Sequence, residues 1–155
     1  MIDKIIRNIS IIGIGNSIMG DDGVGIHAVM KLREMKFQPG IEVFDAGTDA
    51  FYALEAMDGK DKAIILDACK GNNAPGTLYR FLCNPLHGKW APAFRLSMHG
   101  MNFMDVMITS GALKLPHEIV LLGVETEMID WSTELSPKVK VALPALIDMV
   151  LRELY

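Results

Sequence analysis

Two hydrophobic periods alternate along this chain. Short apolar runs rich in β-branched residues occupy 9–14, 41–44, 63–66, 77–82 and 118–124, and each reads as a strand. Between them the spacing changes. Val24, Ala28, Leu32 and Met35 recur at helical intervals until Pro39-Gly40 stops them. Phe51, Leu54 and Glu55 predict a short second helix that ends near Gly59. Met101, Met104, Ile108 and Ala112 predict a third, with Asn102 as its N-cap. Ser136-Pro137 opens the last helix, whose apolar face is Val139, Leu143, Leu146 and Val150. Asn72 to Gly76 reads as a turn, and 83–95, with Pro85, Gly88 and Pro92, as a loop.

Near-continuous apolar strands alternating with helices imply a parallel sheet covered on both faces. The expected fold is a three-layer α/β sandwich around a mixed, mainly parallel five-stranded sheet. The strand at 77–82 follows the one at 63–66 after only a turn region, so an antiparallel pairing of those two is expected. No linker or repeat interrupts the pattern, and one domain over 1–155 is the expectation.

Composition narrows the function classes. Half of the 155 residues are hydrophobic, enough for a core and too many for disorder. The formal net charge is −4 and no basic block occurs, which argues against a nucleic-acid partner. No apolar stretch approaches a membrane span and no leader-like segment is present, so a cytoplasmic location without membrane attachment is expected. Cys69 and Cys83 match neither a zinc spacing nor a CxxC pair, and read as buried thiols.

The candidate chemistry is positional. Open α/β sheets bind ligands beyond the carboxyl ends of their strands. Asp21-Asp22 follows the first strand, Asp45 ends the second, Asp67 ends the third, and Glu125 follows the fifth. Carboxylates gathered at one edge repel each other unless hydrogen-bonded, protonated or bound to a cation, and a metal site is the simplest resolution. The loop after the first strand, 13–23, has two glycines of a dinucleotide fingerprint but Ile18 in place of the third. Its aspartate pair is hostile to a pyrophosphate at the helix start. Either aspartate could cap that helix; Asp21 is the better cap and Asp22 the better site residue. Of the histidines, His27 lies within a helix, and His87 and His117 fall in loops with no assigned role. His99 follows a long loop and precedes a helix, where an imidazole can join a metal site if partners are supplied. Met98, Met101, Met104 and Met107 cluster around it. Helical spacing favours core packing for Met101 and Met104, and leaves Met98 and Met107 as candidates for an adaptable apolar groove.

Gly13-x-Gly15-Asn16 followed by Asp21-Asp22-Gly23-x-Gly25 resembles the opening motif of the nickel-iron hydrogenase maturation endopeptidases. The resemblance continues in order through Asp45-Ala46-Gly47-Thr48, Asp67-Ala68, Ala74-Pro75-Gly76-Thr77, the His99 segment, Leu122-Gly123-Val124-Glu125 and Leu135-Ser136-Pro137. Thr126-Glu127 replaces the family's frequent Pro-Glu pair, and Gly100 replaces a residue that is often polar. The resemblance implies an endopeptidase that removes the C-terminal extension of the hydrogenase large-subunit precursor after nickel insertion. It implies that Asp22, Asp67 and His99 are the metal-contacting and catalytic residues. Asp45, Gly15, Asn16 and Asp21 are expected as secondary residues of the cleft. The nickel would be supplied by the precursor, with no tightly bound cofactor of the protein's own. Two carboxylates and an imidazole suit such a divalent ion and leave coordination positions open. Rival readings on the same residues are a non-catalytic nickel-binding chaperone, a nucleotide-binding domain and a metallopeptidase with its own metal.

Overall fold

The computed structural model describes residues 7–83, 111 and 113–155. The strands are β1 (Ile9–Gly13), β2 (Ile41–Asp45), β3 (Lys62–Cys69), β4 (Leu78–Cys83) and β5 (Glu118–Glu125). They form one sheet in the order β2-β1-β3-β5-β4. All pairings are parallel except β4 with β5. The described helices are α1 (Val24–Arg33), α2 (Ala50–Met57) and α3 (Pro137–Leu154). The helix expected around Met101 and Met104 lies outside the described residues, as do the cluster of four methionines, His87 and His99.

Strand alternation sorts the apolar side chains into two layers. Ile12, Ile65 and Leu121 pack with Ala53, Leu54 and Met57 of α2. Ile11, Ile64, Leu66 and Leu122 pack with Val29 and Leu32 of α1 and Leu143 and Leu146 of α3. Helices therefore cover both faces, as the strand composition implied. Each fully buried Ile or Leu of β3 adds roughly 1.5–3 kcal/mol relative to exposure. This places a fully buried strand directly beneath the carboxyl edge.

Two expectations need correction. The strand at 78–83 pairs with β5 rather than with β3. Every residue of β3 is buried, and so is all of β5 after its first residue, whereas β4 alternates between half-buried, exposed and buried positions. An amphipathic strand suits the sheet edge, and a two-sided apolar strand suits the position next to β3. The second correction concerns strand ends. Asp67 and Glu125 lie inside β3 and β5, because the ladder continues through Asp67↔Gly123 to Cys69↔Glu125.

The strand order creates a switch point. From β1 the chain crosses through α1 to β2, and from β2 it crosses back through α2 to β3 on the other side of β1. The connections leaving β1 and β3 diverge, which opens a crevice above their carboxyl ends.

Candidate active site

The loop leaving β1 is built by glycines. Gly15 has φ +137°, a conformation open to glycine, and a Cβ there would collide with the carbonyl oxygen of Asp22. A Cβ at Gly25 would run into the Leu66 and Ile14 carbonyls, so glycine lets α1 start hard against β3. These close approaches fold the loop back on itself. The Asn16 N–H then donates to Asp22 Oδ2 at 2.9 Å, and Asp22 is only 7% exposed. Asn16 Oδ1 in turn accepts from the Ile18 N–H at 3.2 Å.

Asp67 sits across the switch point on β3 and is fully buried. Its Oδ1 accepts the Ala68 N–H at 2.8 Å. Its Oδ2 is a buried polar atom with no hydrogen-bond partner among the described residues. Burial pushes the Asp67 carboxyl well above the usual carboxylate range. The Ala68 N–H opposes that shift, and the nearby charge of Asp22 adds to it. Asp22 and Asp67 thus share one low-dielectric crevice, close enough to repel. An orphaned carboxylate oxygen in a native core calls for a partner such as a proton or a cation.

Asp21, also fully buried, has the opposite environment. Its Oδ2 accepts from the Glu127 N–H at 2.9 Å, the Met128 N–H at 2.8 Å and the Ser136 hydroxyl at 2.7 Å. Its Oδ1 accepts the Ser136 N–H at 2.7 Å. Burial alone would raise its pKa; these donors outweigh that and hold the carboxyl below the ordinary value. The expected cap on the following helix is not formed, since Gly23 occupies the N-cap position of α1. Asp21 instead ties the β1 loop to the segment after β5 and to the start of α3. Ser136 does occupy the N-cap position of α3, but its hydroxyl donates to Asp21 rather than accepting from its own helix.

Asp45 ends β2, half-buried, and its Oδ1 accepts the Gly47 N–H at 2.9 Å. The Gly15 N–H donates to the Gly47 carbonyl at 2.8 Å, so the β1 and β2 loops are joined beside Asp22. Glu125 has a role that sequence reasoning missed. Its carboxylate accepts from the Gly71 N–H at 2.7 Å, the Asn73 N–H at 3.1 Å and the Tyr79 hydroxyl at 3.2 Å. It holds the 70–77 connection over the end of β5, which carries the chain from β3 to the far edge. The turn signal at 72–76 was legible, but its anchor lies about fifty residues away.

Cys69 is buried near these acids. Burial first, then Glu125 and Asp67, pushes its thiol up to about 11, so it is not a thiolate nucleophile at neutral pH. Burial pushes Cys83 up to about 12. His27 lies half-buried on α1 and His117 is exposed before β5. No group of three His, Cys, Asp or Glu side chains poised to hold a metal occurs among the described residues. Of the expected triad, the structure brings Asp22 and Asp67 to one crevice; His99 lies outside the described residues.

A doubly wound α/β sheet with a buried carboxylate pair at its switch point is the class that fold and site define. The hydrogenase maturation protease model, HycI, matches residues 26–153. The hydrogenase expression/formation protein HoxM of Azotobacter vinelandii is 32% identical over 154 residues, covering 91% of this chain and 73% of that protein. The hydrogenase maturating endopeptidase HybD from E. coli superposes with a TM-score of 0.76 at 25% identity, covering 95% of this chain and 91% of that one. The [NiFe] hydrogenase maturation protease HybD from Thermococcus kodakarensis gives 0.73 at 27% identity, covering 94% and 97%. The chain belongs to the hydrogenase maturation protease family. It is an endopeptidase that cleaves the hydrogenase large-subunit precursor at its C-terminus.

Proposed function

We propose that this protease recognises its precursor through nickel already seated in it, with Asp22, Asp67 and His99 as the residues that meet the metal. The observation that carries this reading is the fully buried Oδ2 of Asp67, which has no hydrogen-bond partner among the described residues, in a crevice shared with Asp22. A divalent cation brought to that point would turn the repulsion between the two carboxylates into attraction. The chain would then have no resident metal of its own. His99 would complete a borderline-to-hard donor set that leaves positions for the precursor's own ligands.

The work of the site is first positional. Fixing the precursor by its metal holds the adjacent scissile peptide in register with the enzyme's carboxylates. One of these, Asp22 or Asp67, then serves as general base toward water, or the metal polarises the carbonyl. Asp45, Gly15, Asn16 and Asp21 support the geometry: Gly15 and Asn16 fold the loop, and Asp45 and Asp21 brace it from either side. We place this reaction in the cytoplasm. Among the described residues no helix is long and apolar enough to cross a membrane.

Asp22→Asn, Asp67→Asn and His99→Ala should each lower processing of nickel-loaded precursor by about 10²–10⁴-fold, the usual loss for an acid–base or positioning group. Mass spectrometry of the released peptide is the readout, with circular dichroism to confirm folding. Full processing by the three variants would contradict the assignment.

A further inference from the structure

The segment after β5 carries an unusual surface. Trp131 is 76% exposed, Met128 41% and Ile129 39%, and Ile18 of the β1 loop is 46% exposed. Large apolar side chains left in water in one neighbourhood mark a contact surface more often than chance placement. Backbone bonds put these residues on a single ridge. The Ser132 N–H donates to the Ile18 carbonyl at 3.0 Å, the Gly20 N–H to the Ser132 carbonyl at 2.9 Å, and the Asp21 N–H to the Met128 carbonyl at 2.9 Å. Met19 and Ser132 form a parallel bridge. The four bonds accepted by Asp21 pin the base of the ridge from beneath. The ridge is therefore a fixed platform, and a pre-ordered surface loses little entropy when a partner docks.

Its position is equally specific. The residue that pins the ridge, Asp21, immediately precedes Asp22 in one buried turn. The ridge is thus joined through one short turn of chain to Asp22 of the crevice. The ridge is also one-signed: 126–134 contains Glu127, Asp130 and Glu134 and no Lys or Arg. Lys138 and Lys140 of α3 reach Glu127 and Glu134 only at 4.0 and 3.9 Å from the exposed side.

We propose that Ile18, Met128, Ile129 and Trp131 form the docking ridge for the precursor itself, seating an apolar segment that carries Lys or Arg beside its apolar side chains. This rests on the crevice being the cleavage site. In this account specificity is divided. The carboxylates read the metal, and the ridge reads protein surface and supplies affinity. Asp21 is a positioning residue that joins the two.

The test is steady-state cleavage of nickel-loaded precursor by the full-length enzyme. Trp131→Ala and Ile129→Ser should each raise KM by about 10-fold or more, as expected of a central aromatic or aliphatic anchor, with kcat changed less than about twofold. Met30→Gln, which alters an exposed apolar residue on α1 away from the ridge, should change neither. Raised salt should increase KM for the wild type. Unchanged KM in both ridge variants, with Asp22→Asn inactive, would overturn the ridge and leave the site reading intact. Active Asp22→Asn with impaired ridge variants would do the reverse. A wild-type dimer in sedimentation that Trp131→Ala dissolves would assign the ridge to a second copy of the chain and also overturn the proposal.

Discussion

β3 carries a buried cation at its start and a buried acid near its end, and the two ends treat charge in opposite ways. At the amino end, Lys62 is 4% exposed and fully paired. Its ammonium reaches Glu118 at 2.6 Å, Glu153 at 2.8 Å and the Glu153 carbonyl at 2.9 Å. Arg80 pairs with Glu153 and Arg7 with Glu118 at 3.4 Å, so the acids are compensated in turn. At the carboxyl end, five residues on, Asp67 keeps one oxygen without a partner among the described residues, and its neighbour Asp22 has the same sign. Burial of charge is thus common to both ends. What separates the two ends is compensation, and the proposed function places the site at the end that lacks it at Asp67.

The largest change in stability should follow from breaking the compensated end. Lys62→Met should destabilise the fold by about 2–4 kcal/mol, because it strands two half-buried glutamates with only their arginines. Chemical denaturation would measure it, and processing activity at temperatures below the transition should persist. The sign with pH is also fixed. The Lys62 hydrogen bond holds the Glu118 carboxyl below its ordinary value, and Arg80, aided by Lys62, does the same for Glu153. Their contribution is present above the usual glutamate pKa and fades as pH falls through the depressed values. The stability gap between wild type and Lys62→Met should therefore narrow in acid.

Asp21→Asn comes next, at about 2–3 kcal/mol, since an amide nitrogen would face backbone N–H donors wherever it pointed. Thermal unfolding would record the loss.

Asp67→Asn should move stability the other way. The raised Asp67 carboxyl favours the protonated form, so folding loses stability as pH rises above the unfolded carboxylate value. A neutral amide removes that penalty. Its Tm should equal or exceed that of the wild type at pH 7, with the advantage shrinking toward pH 4, while activity is lost. A lower Tm at neutral pH would show that the crevice is compensated after all. The smallest effect belongs to Arg7→Gln: its ion pair with Glu118 is half-exposed, so less than about 0.5 kcal/mol is expected by denaturant titration.

The comparison also explains what the sequence could disclose. Strand and helix periods placed β1, β2, β5, α1 and α3 correctly, because each buries a face that its spacing displays. The acids at the carboxyl edge were legible from position alone. The partner of β4 was not, because edge placement follows from competition among strands rather than from a local pattern. Nor were the tasks of Asp21 and Glu125. Asp21 takes its donors from residues more than a hundred positions away, and Glu125 reaches back about fifty. In the β1 loop the sequence separated the two aspartates by expecting Asp21 to cap the next helix, and only the distant N–H groups show that Asp21 is a tether instead. Lys62 gave no signal, as a lone lysine opening a strand usually faces solvent.

The central claim is that the buried carboxylates of Asp22 and Asp67 read a metal carried by the substrate. Side-by-side digestion of nickel-loaded and metal-free precursor by the wild-type enzyme, followed by mass of the released peptide, tests it most directly. Cleavage of the loaded form with the metal-free form left intact is the expected result. Equal cleavage of both would mean that the crevice cuts without consulting a metal, and the account would fail.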